Sequence, residues 1–511
     1  MMLGFVMLAA LAMPAAGVEI QQYHSHDFAF RAQVNGNPFD VEVDGEFLGP
    51  DGVRLVVPGF YDGGGVWKIR FSPVRVGKWT LRTRSAVAAL HGKAENDIAC
   101  TANRHAAIHG GLRVDAAHPY HFRYEDGSRY FLMGYECDWL WGIDMKDPQR
   151  RQMRKLIDRI AGRGFNHVLV NVYAHDTSWS PGKQNEWDYG PPEMFAWEGS
   201  NEKPDHTRLN VEFFKLYDGM MEALREKGIV AHLMLKVYNK KVNWPEKNSA
   251  EERKYFRYVV ARYQGFANVV WDFAKESYNE KDNELQARLL EYVRGLDAYR
   301  RLTTAHDDDV YEWDARYWHT VDFRTDQQHS DFPGMIAFDR KMRARPVVNS
   351  EFGYERGVGD KLPTYRKEDD WEEQLRRAWW IYLAGGYGVY YYHYTSWDVN
   401  KIDPEPPGVK GFEILRKALE PLPYWKMTPA NDLAVDGPCL VLAGEAYAVY
   451  AEKAAVTLNL QALEGAGRGE WVNTWTGERV SFQVQGGGAR KLNKPEGFGK
   501  APGLLVVRKE M

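Results

Sequence analysis

A chain of 511 residues with 66 Lys+Arg against 70 Asp+Glu has a formal net charge of -4, which supplies neither a basic face for a nucleic-acid backbone nor a polybasic patch for a membrane surface. Hydrophobic residues at 44% and charged residues at 27% are ordinary globular values; they exclude a largely disordered protein, and the length leaves room for two or three domains. Aromatic residues stand out at 14%, with 18 Trp and 29 Tyr, a surplus that suits large β-rich cores or flat amphipathic ligands such as sugar rings.

Met1 to Val18 carries no charged side chain, is rich in Leu, Ala and Met, and ends in the small residues Pro14-Ala15-Ala16-Gly17. This predicts a secretory leader over residues 1–17 and an exported protein, secreted or periplasmic, with an uncleaved anchor as the competing reading. No later apolar run is long enough to span a bilayer. Three cysteines, Cys100, Cys137 and Cys439, are too few for a disulfide framework and match no zinc spacing.

From Val18 to about residue 105 the pattern is short and β-like. Val41-Glu42-Val43 alternates and Gly45 breaks it; Val53 to Val57 closes at Pro58-Gly59; Gly63-Gly64-Gly65 precedes Trp67 to Phe71; Gly77 to Arg82 follows. Short strands punctuated by Gly and Pro predict an N-terminal β-sandwich over 18–105. The period then changes. Apolar runs at Tyr130–Met133, Val168–Val172, Val230–Leu235, Val269–Phe273, Leu302–Ala305, Val321–Phe323, Val347–Ser350 and Val389–Tyr392 alternate with helical stripes. Among these stripes are Met153/Leu156/Ile157/Ile160, Leu285/Leu289/Val293/Leu296 and Leu375/Trp379/Tyr382. Eight such runs predict a (β/α)8 TIM barrel over 106–425. A doubly wound sheet is the alternative, but no Gly-rich phosphate loop follows the first strand. After Pro421 the chain turns β again: Leu440–Ala443 and Tyr447–Tyr450 flank Gly444-Glu445 as a hairpin, and Trp471 to Gly477 and Leu504 to Val507 complete a second β-sandwich over 426–511.

In such a barrel, function sits at the carboxyl ends of the strands. The fourth run ends in Lys275-Glu276-Ser277 and the seventh in Ser350-Glu351-Phe352. The ends of strands four and seven lie nearly opposite across the mouth, so two carboxylates would face each other over a cleft. Glycosidic cleavage requires such a pair, one protonating the leaving oxygen and one attacking or activating water from the other side.

These paired glutamates resemble glycoside hydrolase clan A, the retaining (β/α)8 hydrolases. The chain further resembles the apiosidase-like branch of that clan. Arg70-Phe71-Ser72-Pro73 and Gly77-Lys78-Trp79 are similar to its leading domain of unknown function. His118-Pro119-Tyr120-His121-Phe122 through Asp126-Gly127 to Phe131 and Gly134 is similar to the start of its barrel. Trp471 to Gly477 resembles a C-terminal sandwich of the collagen-binding type. The resemblance implies Glu276 as acid/base and Glu351 as nucleophile. It also exposes a departure, because clan A has Asn before the acid/base, bonding the sugar's 2-hydroxyl, where this chain has Lys275. A cation beside Glu276 favours its ionised form, which is awkward for an acid. Either Lys275 points away, or it recognises an acidic or unusual sugar, or the acid lies elsewhere; the first is expected.

Other strand-end groups are substrate-binding candidates. They are Glu136, Asp138, Trp139 and Trp141 after strand one, and Asn171, Tyr173, His175 and Asp176 after strand two. Lys236 and Tyr238 follow strand three. His306-Asp307-Asp308-Asp309 after strand five looks like a hard-cation site, but three adjacent residues cannot converge on one ion. His329, in the cluster Gln327-Gln328-His329 after strand six, matches a polar group that the branch places there. After strand eight come Tyr391, His393 and Trp397, with Trp397 the preferred floor under the sugar. The reading is a retaining glycosidase acting on a poly- or oligosaccharide, with no cofactor and no metal. The alternatives are a non-catalytic carbohydrate-binding protein with an inactive barrel, favoured only by Lys275, and a metal-dependent hydrolase or lyase, for which no ligand spacing exists.

Overall fold

In a computed structural model of the chain, residues 17–178, 186–307, 315–360 and 368–510 are described. The leader expected over 1–17 lies outside them save for Gly17, as do Asp308 and Asp309.

The centre of the molecule is a ring of parallel strands: β1 (Gly134–Glu136), β2 (His167–Asn171), β3 (Val230–Val237), β4 (Val269–Lys275), β5 (Thr303–Asp307, broken at Ala305), β6 (Arg324–Asp326), β7 (Val347–Asn349) and β8 (Tyr387–Tyr390). Gly134 pairs with both His167 of β2 and Val389 of β8. The break in β5 lets Thr303-Thr304 pair with β4 while His306-Asp307 pairs with β6, so the ring closes as a TIM-like barrel. A Cβ at Gly134 would meet Val389 Cγ2 at 2.7 Å, which is why the β1–β8 seam takes glycine there. The outer layer is α1 (Arg151–Gly162), α2 (Val211–Glu226), α3 (Ala250–Tyr263), α4 (Asn283–Leu296), α5 (Phe332–Met342), α6 (Trp371–Leu383) and α7 (Gly408–Leu419), with a 3₁₀ turn, Ala315–Thr320, between β5 and β6. The predicted stripe Met153, Leu156, Ile157 and Ile160 is the buried face of α1. Asn210, Ser249 and Asp282 cap α2, α3 and α4 through their side chains, satisfying first-turn N–H groups.

Two strand positions differ from expectation, for one physical reason. Tyr130–Met133 is not the first barrel strand: Arg129–Tyr130 closes a small antiparallel sheet with Leu112–Val114 and Phe122–Tyr124, and β1 starts only at Gly134. Val321–Phe323 likewise precedes β6, which is Arg324-Thr325-Asp326. In both places the apolar residues form the floor, where Phe122 packs on Phe323 and Tyr387. The sixth strand itself is polar, its Arg324 pairing internally with Asp307 and Asp326.

Two sheets of five and three strands precede the barrel and share one core containing Phe47, Trp67, Phe71 and Trp79, with Phe47 and Phe71 stacked at 3.8 Å. Gly45 does not break the strand Val43–Leu48 but sits inside it, under Leu81, Phe47 and Ile69, where a Cβ would approach to 2.9–3.0 Å. This unit is fastened to the barrel by buried ions. The Arg70 guanidinium reaches Asp27 at 2.7 Å, Asp218 of α2 at 3.2 Å and the carbonyl of Arg262 in α3 at 2.9 Å. Arg262 returns to Asp218 at 2.8 Å and to Asp62 at 3.0 Å. After the barrel come sheets of six and three strands around Val449, Leu458, Trp471 and Leu505. They lean on α6, where Trp379 stacks on Tyr450 at 5.9 Å and Trp371 meets Trp475 at 5.5 Å. The aromatic surplus is therefore largely core: Trp67, Trp79, Trp139, Trp141, Trp271, Trp379 and Trp471 are all fully buried. Cys100, Cys137 and Cys439 are free and buried.

Candidate active site

Glu276 leaves β4 in a left-handed conformation, φ 51° and ψ 51°, a strained state for a non-glycine residue and one that gathers at functional sites. Its Oε1 accepts from Asn239 Nδ2 at 2.7 Å and its Oε2 from Asn279 Nδ2 at 3.1 Å. Burial, and next the negative charge of Glu351, push its pKa up against the opposing ammonium groups of Lys240 and Lys275.

Glu351 follows β7 and is 2% exposed. Tyr354 Oη donates to its Oε1, joined there by Gln327 Nε2 at 3.0 Å, while Tyr391 Oη reaches Oε2 at 3.2 Å. Lys275 Nζ stands 3.5 Å from Oε2 and His306 Nε2 3.8 Å. Burial opposes ionisation here too, but Lys275, His306, His329 and the Tyr354 hydroxyl overcome it and bring the pKa down to about 2. Two carboxyl groups that feel each other's charge are thus driven apart, one towards the acid form and one firmly ionised.

Lys275 does point away from Glu276, as expected. Its Nζ crosses the barrel to Glu136 Oε1 at 2.7 Å, Tyr391 Oη at 3.0 Å and Asp138 Oδ1 at 3.5 Å. Burial alone lowers an ammonium's pKa, yet Asp138, Glu136 and Glu351 raise that of Lys275 well above the usual lysine value. Asp138, buried against Lys275 and against Lys240 Nζ at 3.3 Å, stays on the ionised side despite desolvation. Burial first, with Asp138 adding to it and Lys275 opposing, takes Glu136 well above the ordinary carboxyl range.

The remaining candidates separate by position. Trp397 packs its ring on Tyr354 at 4.7 Å and on His393 at 5.3 Å, next to the residue that holds Glu351. His393 Nδ1 lies 3.1 Å from Glu368 Oε1. His329 is exposed, 5.9 Å from the Tyr354 ring, and acts on Glu351 by charge. Trp139 is 0% exposed, its indole N–H donating to the Ala174 carbonyl at 3.0 Å, so neither ring face is open to a ligand. His175 faces Phe195 and Glu202 Oε1 at 3.7 Å and has no contact with either glutamate. Lys236 pairs with Glu252 of α3 at 2.6 Å and Tyr238 donates to Glu280 at 3.1 Å, both away from the pair. Sequence reasoning missed Tyr354, Asn239 and Lys240. All three lie within a few residues of a strand end, so the rule that found Glu276, extended a little further along each loop, reaches them. Among the described residues, no three His, Cys, Asp or Glu side chains are grouped to hold a metal ion.

A model of the apiosidase-like catalytic domain matches residues 117–430, more than half of the chain. The chain belongs to the apiosidase-like family. Residues 19–86 match a domain of unknown function, DUF5060. Among solved structures, a candidate glycoside hydrolase from Bacteroides vulgatus is similar with TM-score 0.81 at 21% identity, over 96% of this chain and 100% of that one. A glycoside hydrolase family 5 protein from the same organism gives 0.61 at 17%, over 78% of this chain and 94% of that one. A further glycoside hydrolase gives 0.61 at 16%, over 79% and 97%. At these identities the likeness is one of fold. No curated protein matches the chain.

Proposed function

We propose that this apiosidase-like protein is a retaining glycoside hydrolase of the clan A type, cleaving O-glycosidic bonds of a poly- or oligosaccharide. The observation that carries the reading is the opposed pKa shifts of two buried carboxyl groups at the ends of β4 and β7: Glu276 is raised, Glu351 lowered to about 2. A pair whose environments push their pKa values apart divides into acid and nucleophile. Glu351, ionised and held by Tyr354, Gln327 and Tyr391, attacks the anomeric carbon while Glu276 gives its proton to the leaving oxygen. Glu276, now a carboxylate, takes a proton from water, and that water releases the sugar from Glu351.

The units before and after the barrel are read as β-sandwiches over 18–105 and 426–511 that support the 106–425 barrel. The expected export is checked by sequencing the amino terminus of the mature chain from the cell envelope or medium.

Sugar release from a panel of glycans tests the reading. Activity should collapse in both Glu276→Gln and Glu351→Gln, with azide or formate partly rescuing one, and the first-formed product should keep its anomeric configuration. Full activity in either variant means that other carboxylates do the work. Inversion means a carboxyl separation nearer the roughly 6.5–9.5 Å of inverting enzymes than the about 5–5.5 Å that retention needs. Glycan retention without release from any substrate favours the binding-protein alternative.

A further inference from the structure

Beneath the two glutamates the barrel is crossed by a line of wholly buried polar side chains. Asp272 of β4 accepts two backbone N–H groups at Oδ1, from Ala274 and from His306, each at 3.1 Å. Both are bonds that a carboxyl oxygen accepts. Its Oδ2 lies 2.8 Å from His232 Nε2, so that nitrogen carries the hydrogen. The His232 Nδ1 lies 3.0 Å from His167 Nε2. Burial, with His232 adding to it, keeps His167 far below the usual histidine range, hence neutral. His167 Nδ1 lies 3.0 Å from the Tyr130 hydroxyl, which also donates to the Asn166 carbonyl at 2.9 Å.

The line ends on the backbone of His306, whose ring lies beside Glu351. Gln327 uses its amide N–H on Glu351, so its Oε1 needs a donor of its own. His306 Nε2, 3.1 Å away, is that donor. Burial brings His306 down to about 4, so the ring is neutral and carries its hydrogen on Nε2. Without that contact the Gln327 amide is free to turn, and the Glu351 carboxylate loses a fixed donor. A reacting atom misplaced by about 1 Å loses roughly 10²-fold in rate.

We propose that His306 is a positioning residue for Glu351, acting by fixing the Gln327 amide, and that the Tyr130–His167–His232–Asp272 line fixes where His306 stands. The inference rests on the reading of Glu351 as the nucleophile. It is tested on the full chain with His306→Ala, His306→Gln, Gln327→Leu and the double variant His306→Ala/Gln327→Leu, beside Glu351→Gln. On a glycoside that the wild type hydrolyses, His306→Ala should lower kcat by about 10–100-fold with KM within about twofold. His306→Gln, which keeps an amide N–H, should recover most of the loss. His306→Ala should add little on the Gln327→Leu background, because the two act as one unit. Independently of activity, 15N-histidine labelling should show His306, assigned by its disappearance in His306→Gln, as a neutral Nε2–H tautomer at pH 7. An Nδ1–H tautomer or an imidazolium there overturns the proposal, as do losses that multiply in the double variant. If Glu351→Gln turns over like the wild type, the nucleophile reading falls and takes this one with it. If Glu351→Gln is dead while the losses multiply, His306 alone has been misread.

Discussion

Replacing Lys275 with Met removes a positive charge 3.5 Å from Glu351 Oε2. A unit charge pair at this range, with an effective dielectric constant of about 20, is worth roughly 4–5 kcal/mol, equivalent to about 3 pKa units. Glu136 and Asp138 draw on the same ammonium at 2.7 and 3.5 Å, so the share felt by Glu351 is smaller, about 1–2 units. Glu351 is at about 2 in the wild type, and the activity of the nucleophile is lost as pH falls through its pKa. The wild-type profile of kcat/KM should therefore stay flat on its acid side down to about pH 3, whereas Lys275→Met should show an acid limb at about pH 3–4, one to two units above the wild-type value. Lys275 also holds Glu276 down, so the basic limb, where the acid loses its proton, should move up as well. Removing one partner of a buried ion pair costs about 3–5 kcal/mol of stability, so Asp138→Asn/Lys275→Met serves as the charge-balanced partner and Lys275→Arg as the charge-retaining control. An acid side as flat in Lys275→Met as in the wild type, with the protein folded, refutes the electrostatic account of Glu351.

Two further outcomes follow from buried charge elsewhere. Burial pushes Glu355 up to about 7 although Tyr390 Oη donates to it at 2.5 Å. A raised carboxyl stabilises the fold fully below its unfolded pKa, about 4.3, and loses that contribution as pH rises through about 7. Melting temperature should fall from pH 5 to pH 8, and Glu355→Gln should flatten that fall, not abolish it, because Asp326 is raised to about 7 as well; an unchanged slope is the contrary result. Arg70→Met removes the guanidinium that joins Asp27 to Asp218, leaving Lys68 3.5 Å from Asp27 and Arg262 2.8 Å from Asp218; losing these charge-assisted bonds should cost about 1.5–3 kcal/mol and make the linker between residues 86 and 117 sensitive to limited proteolysis. A protein as resistant as the wild type contradicts the clamp.

The sequence is most informative where burial is simple. The runs Val168–Val172, Val230–Leu235 and Val269–Phe273 are wholly buried strands, and an apolar run is the signature of a strand covered on both faces. The same logic located Glu276 and Glu351, because a charged residue just past such a run has left the wall of the barrel. It failed at β6, where Arg324 and Asp326 satisfy each other inside, and at β1, where apolar floor residues precede the strand. It also did not say that Trp139 is buried, since a strand-end tryptophan reads alike whether it faces the cleft or the interior. Tyr354 and the line through His167, His232 and Asp272 depend on which side chains meet across strands far apart in the chain. No local pattern encodes that, and the sequence offers only the unexplained presence of His and Asp in strands otherwise aliphatic.

The Arg70 clamp also bears on what a transplant of the leading domain onto another barrel requires. Family boundaries fall at residues 86 and 117, as if the leading domain and the barrel were separate cassettes. Yet the guanidinium of one is neutralised by Asp218 of the other, and Arg262 of the barrel by Asp62 of the leading domain. A graft that moves the leading domain onto another barrel carries half of a salt lattice and buries orphaned charge at the joint unless residues on α2 and α3 travel with it. The electrostatically closed unit is therefore larger than either boundary, and its edge runs through the outer helices of the barrel.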